Sequence, residues 1–203
     1  AELNEFCLKA EEHPFVTVDT EFLRERTYYS KLCLLQLALP GGKPSDAVLV
    51  DTLSPAMDLK PLYRLFQNTS VVKVFHAARQ DLEIFWHDAK IFPTPLFDTQ
   101  VAAMVCGFGE QVGYETLVRR ILKEEVDKSS RFTDWSRRPL TEAQKNYAIS
   151  DVTHLCGVYL FLKAELERRE RVSWVLEETL MLSNPAIYDV IPLEAWKRIK
   201  TRT

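Results

Sequence analysis

Residues 15–22 read FVTVDTEF, an apolar, β-rich run that ends on two carboxylates, Asp19 and Glu21. Successive side chains of a strand alternate between its two faces, so these residues, two positions apart, point to the same side. Like charges held that close are destabilising unless a positive charge lies between them. Taken alone, the pair favours a solvated edge strand over a metal site. The stretch predicts a strand, and its two carboxylates need an explanation.

The composition is that of one ordinary globular domain. The chain has 203 residues, of which 46% are hydrophobic and 27% charged, and a formal net charge of -3. That charge argues against a globally basic nucleic-acid-binding surface but permits a local basic groove. The four cysteines lie far apart without zinc-site spacing, so we expect reduced, mostly buried thiols. We find neither a leader pattern nor an apolar run of membrane length, and expect a soluble, cytoplasmic protein without a membrane partner.

The order of elements predicts an α/β fold. FVTVDTEF, KLCLLQLAL and DAVLVDTL are three strand patterns, and VVKVFH and PTPLFD are two more. Helical patterns alternate with the later strands, at MDLKPLYRLFQN, RQDLEIFWHDAK, TQVAAMVCGF and YETLVRRILKEE. From Thr141 as N-cap to about Leu182 the pattern is helical almost throughout, and Pro185 blocks its continuation. This alternation favours a mixed sheet covered by helices.

An Asp-Thr pair follows an apolar strand pattern three times, and two of the three have a structural explanation. We interpret Asp98 as the N-cap of the following helix and Asp51 as a strand-end or turn residue. Asp19 differs because Glu21 adds a second carboxylate on the same face, where no helix start needs a cap.

Two further segments carry polar residues that could join this pair. Asp81 lies about one turn into a helix at the carboxyl end of a strand, where open α/β sheets bind ligands. Tyr147 and Asp151 are spaced i, i+4 and share one helix face. The alternatives are a helix-surface Asp and a core tyrosine beside a chance carboxylate. His76 and His154 lie near these segments but are expected to hydrogen-bond in the core.

Four carboxylates without His or Cys ligands are suited to hard divalent cations such as Mg²⁺ or Mn²⁺. Two such ions about 3.5–4 Å apart stabilise the attacking and leaving oxygens in phosphoryl displacement. Their charge would also explain why the carboxylates are tolerated together. Tyr147 could then hydrogen-bond the attacking water.

Three motifs in order resemble those of the ribonuclease D family, in the tyrosine subgroup of the DEDD 3′-to-5′ exonucleases. They are VDTEF, FHAARQDLEIF and YAISDV, and the words RERTYYSKLCLLQLA, LFDTQVAAM and DKSSRFTDWSRRPLTEAQ are also similar. The resemblance implies an RNase H-like mixed five-stranded sheet, with three antiparallel strands and two parallel to the first, flanked by helices.

The resemblance also implies roles for individual residues. It makes Asp19, Glu21, Asp81 and Asp151 the ligands of two divalent metal ions, and Tyr147 the residue that orients water. Contacts to the terminal nucleotide would come from the backbone around Thr20 and from Phe22, for which core packing is an equal alternative. The segment from 128 to 138 has a local net charge of +3. We expect its basic residues, Lys128, Arg131, Arg137 and Arg138, to contact backbone phosphates, with a solvated loop as the alternative.

The resemblance divides the chain into a catalytic domain at 1–182 and a C-terminal extension at 183–203. Helical HRDC modules typically follow this domain in the family, and the extension is too short to hold one, so we interpret it as an extension or the start of a linker. The leading hypothesis is an exoribonuclease acting on single-stranded RNA 3′ ends, in tRNA or other stable RNA maturation. The alternatives are a 3′-to-5′ DNA exonuclease or proofreading module and an inactive nuclease-like RNA-binding module.

Overall fold

The computed structural model describes residues 2–24, 27–127, 129–189 and 193–194. Its centre is a five-stranded sheet of β1 (Phe15–Leu23), β2 (Lys31–Ala38), β3 (Ala47–Val50), β4 (Val72–Phe75) and β5 (Leu96–Asp98). The strand order is β3-β2-β1-β4-β5. The pairs β1–β2 and β2–β3 are antiparallel, whereas β1–β4 and β4–β5 are parallel. The predicted mixed sheet, with two strands parallel to the first, is confirmed.

Seven helices in the described residues surround the sheet. They are α1 (Glu2–Ala10), α2 (Lys60–Gln67), α3 (Arg79–Ala89), α4 (Thr99–Val105), α5 (Tyr114–Ile121), α6 (Glu142–Arg168) and α7 (Val172–Leu182). Helix α1 was not predicted. Thr141 is the N-cap of α6 with a complete capping box, as expected. The prediction that the chain is helical almost throughout from Thr141 to about Leu182 is confirmed, with one break between α6 and α7, where Glu170 adopts a positive φ of 56°.

The two faces of β1 pack against different helices. Val16 and Val18 belong to the main apolar cluster, to which α1, α2 and α3 contribute side chains. The opposite face lies under α6: Thr17 donates a hydrogen bond to the Val152 carbonyl (2.8 Å) and Phe15 packs on Tyr159. Residues of β1 with odd numbers therefore face α6, and those with even numbers face α3.

A register shift interrupts the pairing of β1 with β2 where the carboxylates of β1 lie. Glu21 pairs with Leu34 and Phe22 pairs with Leu32, so Cys33 is an extra residue on β2. Bulges of this kind increase local twist and redirect side chains. The four cysteines are free and buried, as predicted. Within the described segments, no helix combines the length and the apolar character needed to cross a bilayer.

Candidate active site

Three of the four predicted carboxylates meet between β1 and α6. Asp19 and Glu21 lie on the α6-facing side of β1, and Asp151 lies on α6. One oxygen from each of the three lies within 4.8 Å of the others. The alternation of the strand supplies the first two, and the position of α6 over the sheet supplies the third. The arrangement is a compact set of oxygen donors.

Asp81 approaches this cluster from the other face of the sheet. It lies in the first turn of α3, as predicted, and is buried. Its carboxylate accepts a hydrogen bond from the hydroxyl of Thr20, which points away from α6. Asp81 is thus not one of the three close carboxylates, although its charge and that of Asp19 interact. The Thr20 hydroxyl holds the fourth carboxylate beside the other three.

The protonation of the cluster reflects its burial. Burial, followed by the charge of Asp151, raises the pKa of Asp19 well above its ordinary value. Burial and the Asp19 charge raise the pKa of Glu21 to about 10. The pKa of Asp151 is raised to about 7 by burial, against a hydrogen bond from Tyr147 and the charge of Arg131. Without a cation, the folded protein therefore favours protonated carboxyl groups here.

The donor set fits a hard divalent cation. Asp19, Glu21 and Asp151 offer only oxygen, and no His or Cys belongs to this cluster of described residues. Oδ1 of Asp151 is buried without a hydrogen-bond partner among the described residues. Buried polar atoms are normally satisfied, so an orphaned carboxylate oxygen beside two other carboxylates is the feature that a bound cation would satisfy.

Tyr147 lies one turn before Asp151 on α6, so the predicted shared face is confirmed. Its ring packs on the buried Trp135, with centroids 6.0 Å apart. Its hydroxyl hydrogen-bonds the Asp151 carboxylate, and burial raises the pKa of Tyr147. The hydroxyl is therefore a neutral proton donor at neutral pH, fixed at the edge of the cluster.

Two cavities meet at the cluster, and Asp19, Arg131 and Tyr147 line both. The larger, of about 720 Å³, extends along the end of β1 past Thr20 and Phe22. The smaller, of about 230 Å³, extends towards the start of α5. Phe22 packs partly against the main core and also lines the larger cavity, so both alternatives for it have support.

The predicted basic residues differ in what they contact. Arg131 lines both cavities together with Asp19, and its charge lowers the pKa values of Glu21 and Asp151. Arg137 is exposed and pairs with Asp134 at 3.4 Å. Lys128 lies outside the described residues.

The hydrogen bonds of Arg138 do not support the phosphate contact that we predicted for this residue. Its guanidinium donates two hydrogen bonds to the Asp51 carboxylate, at 2.6 and 2.9 Å, and further bonds to the carbonyls of Cys33, Trp135 and Arg137. All five N–H groups of the guanidinium therefore have acceptors within the protein. These bonds anchor the loop to the strands. Asp51 is a strand-end residue, as predicted, and this ion pair gives it its role.

The comparisons with known proteins agree with this geometry. A family model described as 3′-5′ exonuclease matches residues 1–167, which is most of the chain. The chain belongs to this 3′-5′ exonuclease family.

Individual relatives of the exonuclease family are similar over most of this chain. A protein named Ribonuclease D from Jannaschia sp. (strain CCS1) is 62% identical over 202 residues, which cover 100% of this chain and 52% of the relative. The crystal structure of Escherichia coli RNase D, described as an exoribonuclease involved in structured RNA processing, is 34% identical with a TM-score of 0.87. That match covers 97% of this chain and 51% of the E. coli chain. The chain thus spans about half the length of these relatives.

A shorter chain of similar structure is matched over nearly its whole length. Brucella melitensis NrnC with bound Mg²⁺ is 25% identical with a TM-score of 0.78, covering 95% of this chain and 91% of that one. The fold of this chain is therefore also that of a chain of similar length.

The candidate site also contains residues that sequence reasoning missed. His76 makes the expected hydrogen bond, to Thr99 at 2.9 Å, but it also lines the smaller cavity, as does Tyr114. Tyr114 donates a hydrogen bond to the Asp151 carbonyl and so ties α5 to the site. His154 instead contacts Glu124 at 2.8 Å. The sequence did not indicate a role for Tyr114, the first residue of α5, because its hydrogen-bond partner Asp151 lies 37 positions away.

Asp98 has a second role beside the predicted one. It caps α4, accepting from the backbone of Gln100 and Val101. It also accepts from the backbone of Ala77 (3.0 Å) and Ala78 (2.8 Å), where Ala77 has a positive φ of 57°. This carboxylate therefore holds the turn from which α3 presents Asp81.

Proposed function

We propose that this chain is the exonuclease domain of a ribonuclease D-type 3′-to-5′ exoribonuclease, which hydrolyses the terminal phosphodiester of RNA. The observation that carries the proposal is the convergence of Asp19, Glu21 and Asp151, with Asp81 held beside them, on one end of the sheet. The likeness to proteins named Ribonuclease D supports RNA as the substrate class.

We assign Asp19, Glu21, Asp81 and Asp151 as the residues that hold two divalent ions, Mg²⁺ or Mn²⁺. When bound, such ions lower the pKa of water and stabilise negative charge on the phosphoryl oxygens. The four carboxylates give up their protons as the ions bind, because the raised pKa values depend on the absence of a cation.

The remaining residues position the reactants. The Tyr147 hydroxyl lies at the cluster and orients the attacking water through a hydrogen bond. Arg131 lies between the two cavities and contacts a phosphate. Thr20, through its backbone, and Phe22 hold the terminal nucleotide in the larger cavity. Arg137 adds an exposed positive charge near the RNA backbone.

The substrate is RNA with a single-stranded 3′ end, such as a tRNA precursor, in the cytoplasm. A cavity of about 720 Å³ can hold a nucleotide, but the strand must be unpaired to enter it.

Residues beyond the predicted domain boundary at 182 contact the rest of the chain. Tyr188 is 2% exposed in the main core and donates a hydrogen bond to the Leu182 carbonyl. Trp86 donates a hydrogen bond to Asp189 at 2.7 Å. We therefore propose that the exonuclease domain includes residues up to 189.

The test uses 5′-labelled RNA and DNA of one sequence, with Mg²⁺, Mn²⁺ or EDTA, resolved on a sequencing gel. We expect RNA to shorten one nucleotide at a time from its 3′ end, with products lost in EDTA and in Asp151→Asn. A 3′-phosphate should block the reaction, which separates exonuclease from contaminating endonuclease activity.

Each other outcome points elsewhere. Faster shortening of DNA than of RNA would favour the DNA exonuclease alternative. RNA binding without hydrolysis at any metal concentration would favour the inactive binding module.

A further inference from the structure

Phe132 is the most exposed aromatic side chain among the described residues, with 91% of its surface accessible to solvent. It lines the larger cavity together with Thr20 and Phe22. Single exposed apolar residues are common on protein surfaces and need no explanation by themselves. Here the exposed ring lines a cavity that Asp19 and Glu21 of the carboxylate cluster also line, so its position needs an explanation.

The loop that presents Phe132 is anchored by the residues that follow it. Trp135 is buried against Tyr147, and Thr133 accepts a hydrogen bond from the Gln144 side chain at 3.1 Å. The five hydrogen bonds of Arg138 fix the loop's far end. Phe132 is therefore held out to solvent by a structured segment whose other aromatic side chain is buried.

The neighbour of Phe132 supplies the complementary charge. The Arg131 guanidinium lies over the Phe132 ring, 5.3 Å from its centroid, and Arg131 also lines both cavities together with Asp19 of the carboxylate cluster. A planar ring next to a cation that reaches towards the site matches a nucleotide, which joins a flat base to a phosphate. One face of the ring contacts Arg131, and the other can accept a base.

We propose that Phe132 is a stacking platform for the base of the 3′-terminal nucleotide. The proposal rests on the proposed function of the same site. The cluster lies where the two cavities meet, so the phosphate that is cleaved separates a nucleotide in one from the strand in the other. Phe132 shares the larger cavity with Thr20 and Phe22, which we assign to the terminal nucleotide. Stacking tolerates any base, since every base has a π face.

The experiment measures binding in EDTA of a short fluorescent oligoribonucleotide, labelled at its 5′ end, by anisotropy. The proteins are the wild type, Phe132→Ala, Phe132→Trp and the control Trp174→Ala. Trp174 is 53% exposed under the Arg171 guanidinium (4.9 Å), an equivalent pair on α7 that lines neither cavity. The RNAs are intact or lack the base at the first, second or third position from the 3′ end.

We expect Phe132→Ala to weaken binding of intact RNA by about 5- to 150-fold and Phe132→Trp to preserve it. The affinity of the wild type should fall by the same factor when the RNA lacks its terminal base. The affinity of Phe132→Ala should be the same for that RNA as for intact RNA. Unfolding temperatures should be unchanged, because the ring is exposed.

Equal binding by wild type and Phe132→Ala would overturn the proposal, as would a loss that Trp174→Ala shares. If the loss of the second or third base, rather than the first, removed the effect of Phe132→Ala, the assignment to the terminal base would be wrong. Hydrolysis by the wild type in Mg²⁺ is measured in parallel. If the wild type hydrolyses RNA but Phe132→Ala binds RNA as tightly as the wild type, this inference alone is refuted. If the wild type does not hydrolyse RNA, the proposed function is refuted.

Discussion

Buried ionisable groups lie at both ends of the sheet, but only at one end are all of their polar atoms hydrogen-bonded within the described residues. Near the start of β4, the fully buried Lys73 donates hydrogen bonds from Nζ to the carbonyls of Asn68 (2.7 Å), Val71 (2.6 Å) and Thr94. At the carboxyl ends of β1 and β4, by contrast, four carboxylates lie together and one oxygen of Asp151 has no partner among the described residues.

This difference separates a structural charge from a functional one. Three acceptors satisfy the three donors of the lysine ammonium, so a buried cation is compatible with a stable fold. Burial lowers the pKa of Lys73 to about 8, which still leaves it charged at neutral pH. When ionised, the carboxylates repel one another, and the hydrogen bonds from Thr20 to Asp81 and from Tyr147 to Asp151 do not bring their pKa values back to the ordinary range. A ligand of opposite charge would explain their arrangement.

The largest expected effect is on hydrolysis when one carboxylate is removed. Replacing Asp19, Asp81 or Asp151 by Asn, or Glu21 by Gln, should lower kcat by at least about 10⁴-fold, because several kcal/mol of transition-state charge stabilisation are lost. Single-turnover assays at saturating Mg²⁺ would measure this. Turnover near that of the wild type in any one variant would remove that residue from the site.

A smaller effect is expected from Tyr147→Phe, which keeps the ring against Trp135 and removes only the hydroxyl. Hydrolysis should slow by roughly 10²- to 10⁴-fold while metal affinity is preserved, because the hydroxyl positions water rather than holding the ions. Rates and calorimetric Mn²⁺ titrations on the same preparation check both. If metal affinity collapsed with activity, Tyr147 would belong to the metal-binding set.

Lys73→Met provides the opposite test at the other end of the sheet. Three carbonyls lose a charged donor, so the variant should be destabilised by about 2–4 kcal/mol, or roughly 5–15 °C in unfolding temperature. Activity per folded molecule at 20 °C should stay at the wild-type level. A large loss of kcat in a folded Lys73→Met protein would contradict the separation of the two ends.

The sequence predicted the parts of this contrast that are local. Alternation along β1 fixed Asp19 and Glu21 on one face, and helical spacing paired Tyr147 with Asp151. The order of strands and helices indicated the mixed sheet, because each element carries its own periodicity.

Contacts between distant segments could not be predicted in the same way. The Thr20–Asp81 bond joins residues 61 positions apart, and the Arg138–Asp51 pair joins residues 87 apart. Charge counting assigned Arg138 to RNA because an exposed and an anchored arginine are identical in sequence. Helix α1 was missed, and only two of its residues, Cys7 and Ala10, are buried.

The central claim is that the carboxylate cluster is protonated when free of metal and gives up those protons to divalent cations. Unfolding temperature measured from pH 5 to pH 8, in EDTA and in Mg²⁺, tests it most directly. The pKa of Asp151 is raised from 3.8 to about 7 in the folded protein, so protonation of this carboxyl group stabilises the folded state. The stabilisation is complete below pH 3.8, the ordinary pKa, and is lost as the pH rises through 7. Glu21, with a pKa raised to about 10, acts in the same direction. Mg²⁺ replaces these protons, so the Mg²⁺-minus-EDTA difference in unfolding temperature should grow by at least about 5 °C between pH 5 and pH 8. A difference that stays constant with pH, or is zero throughout, would contradict the account.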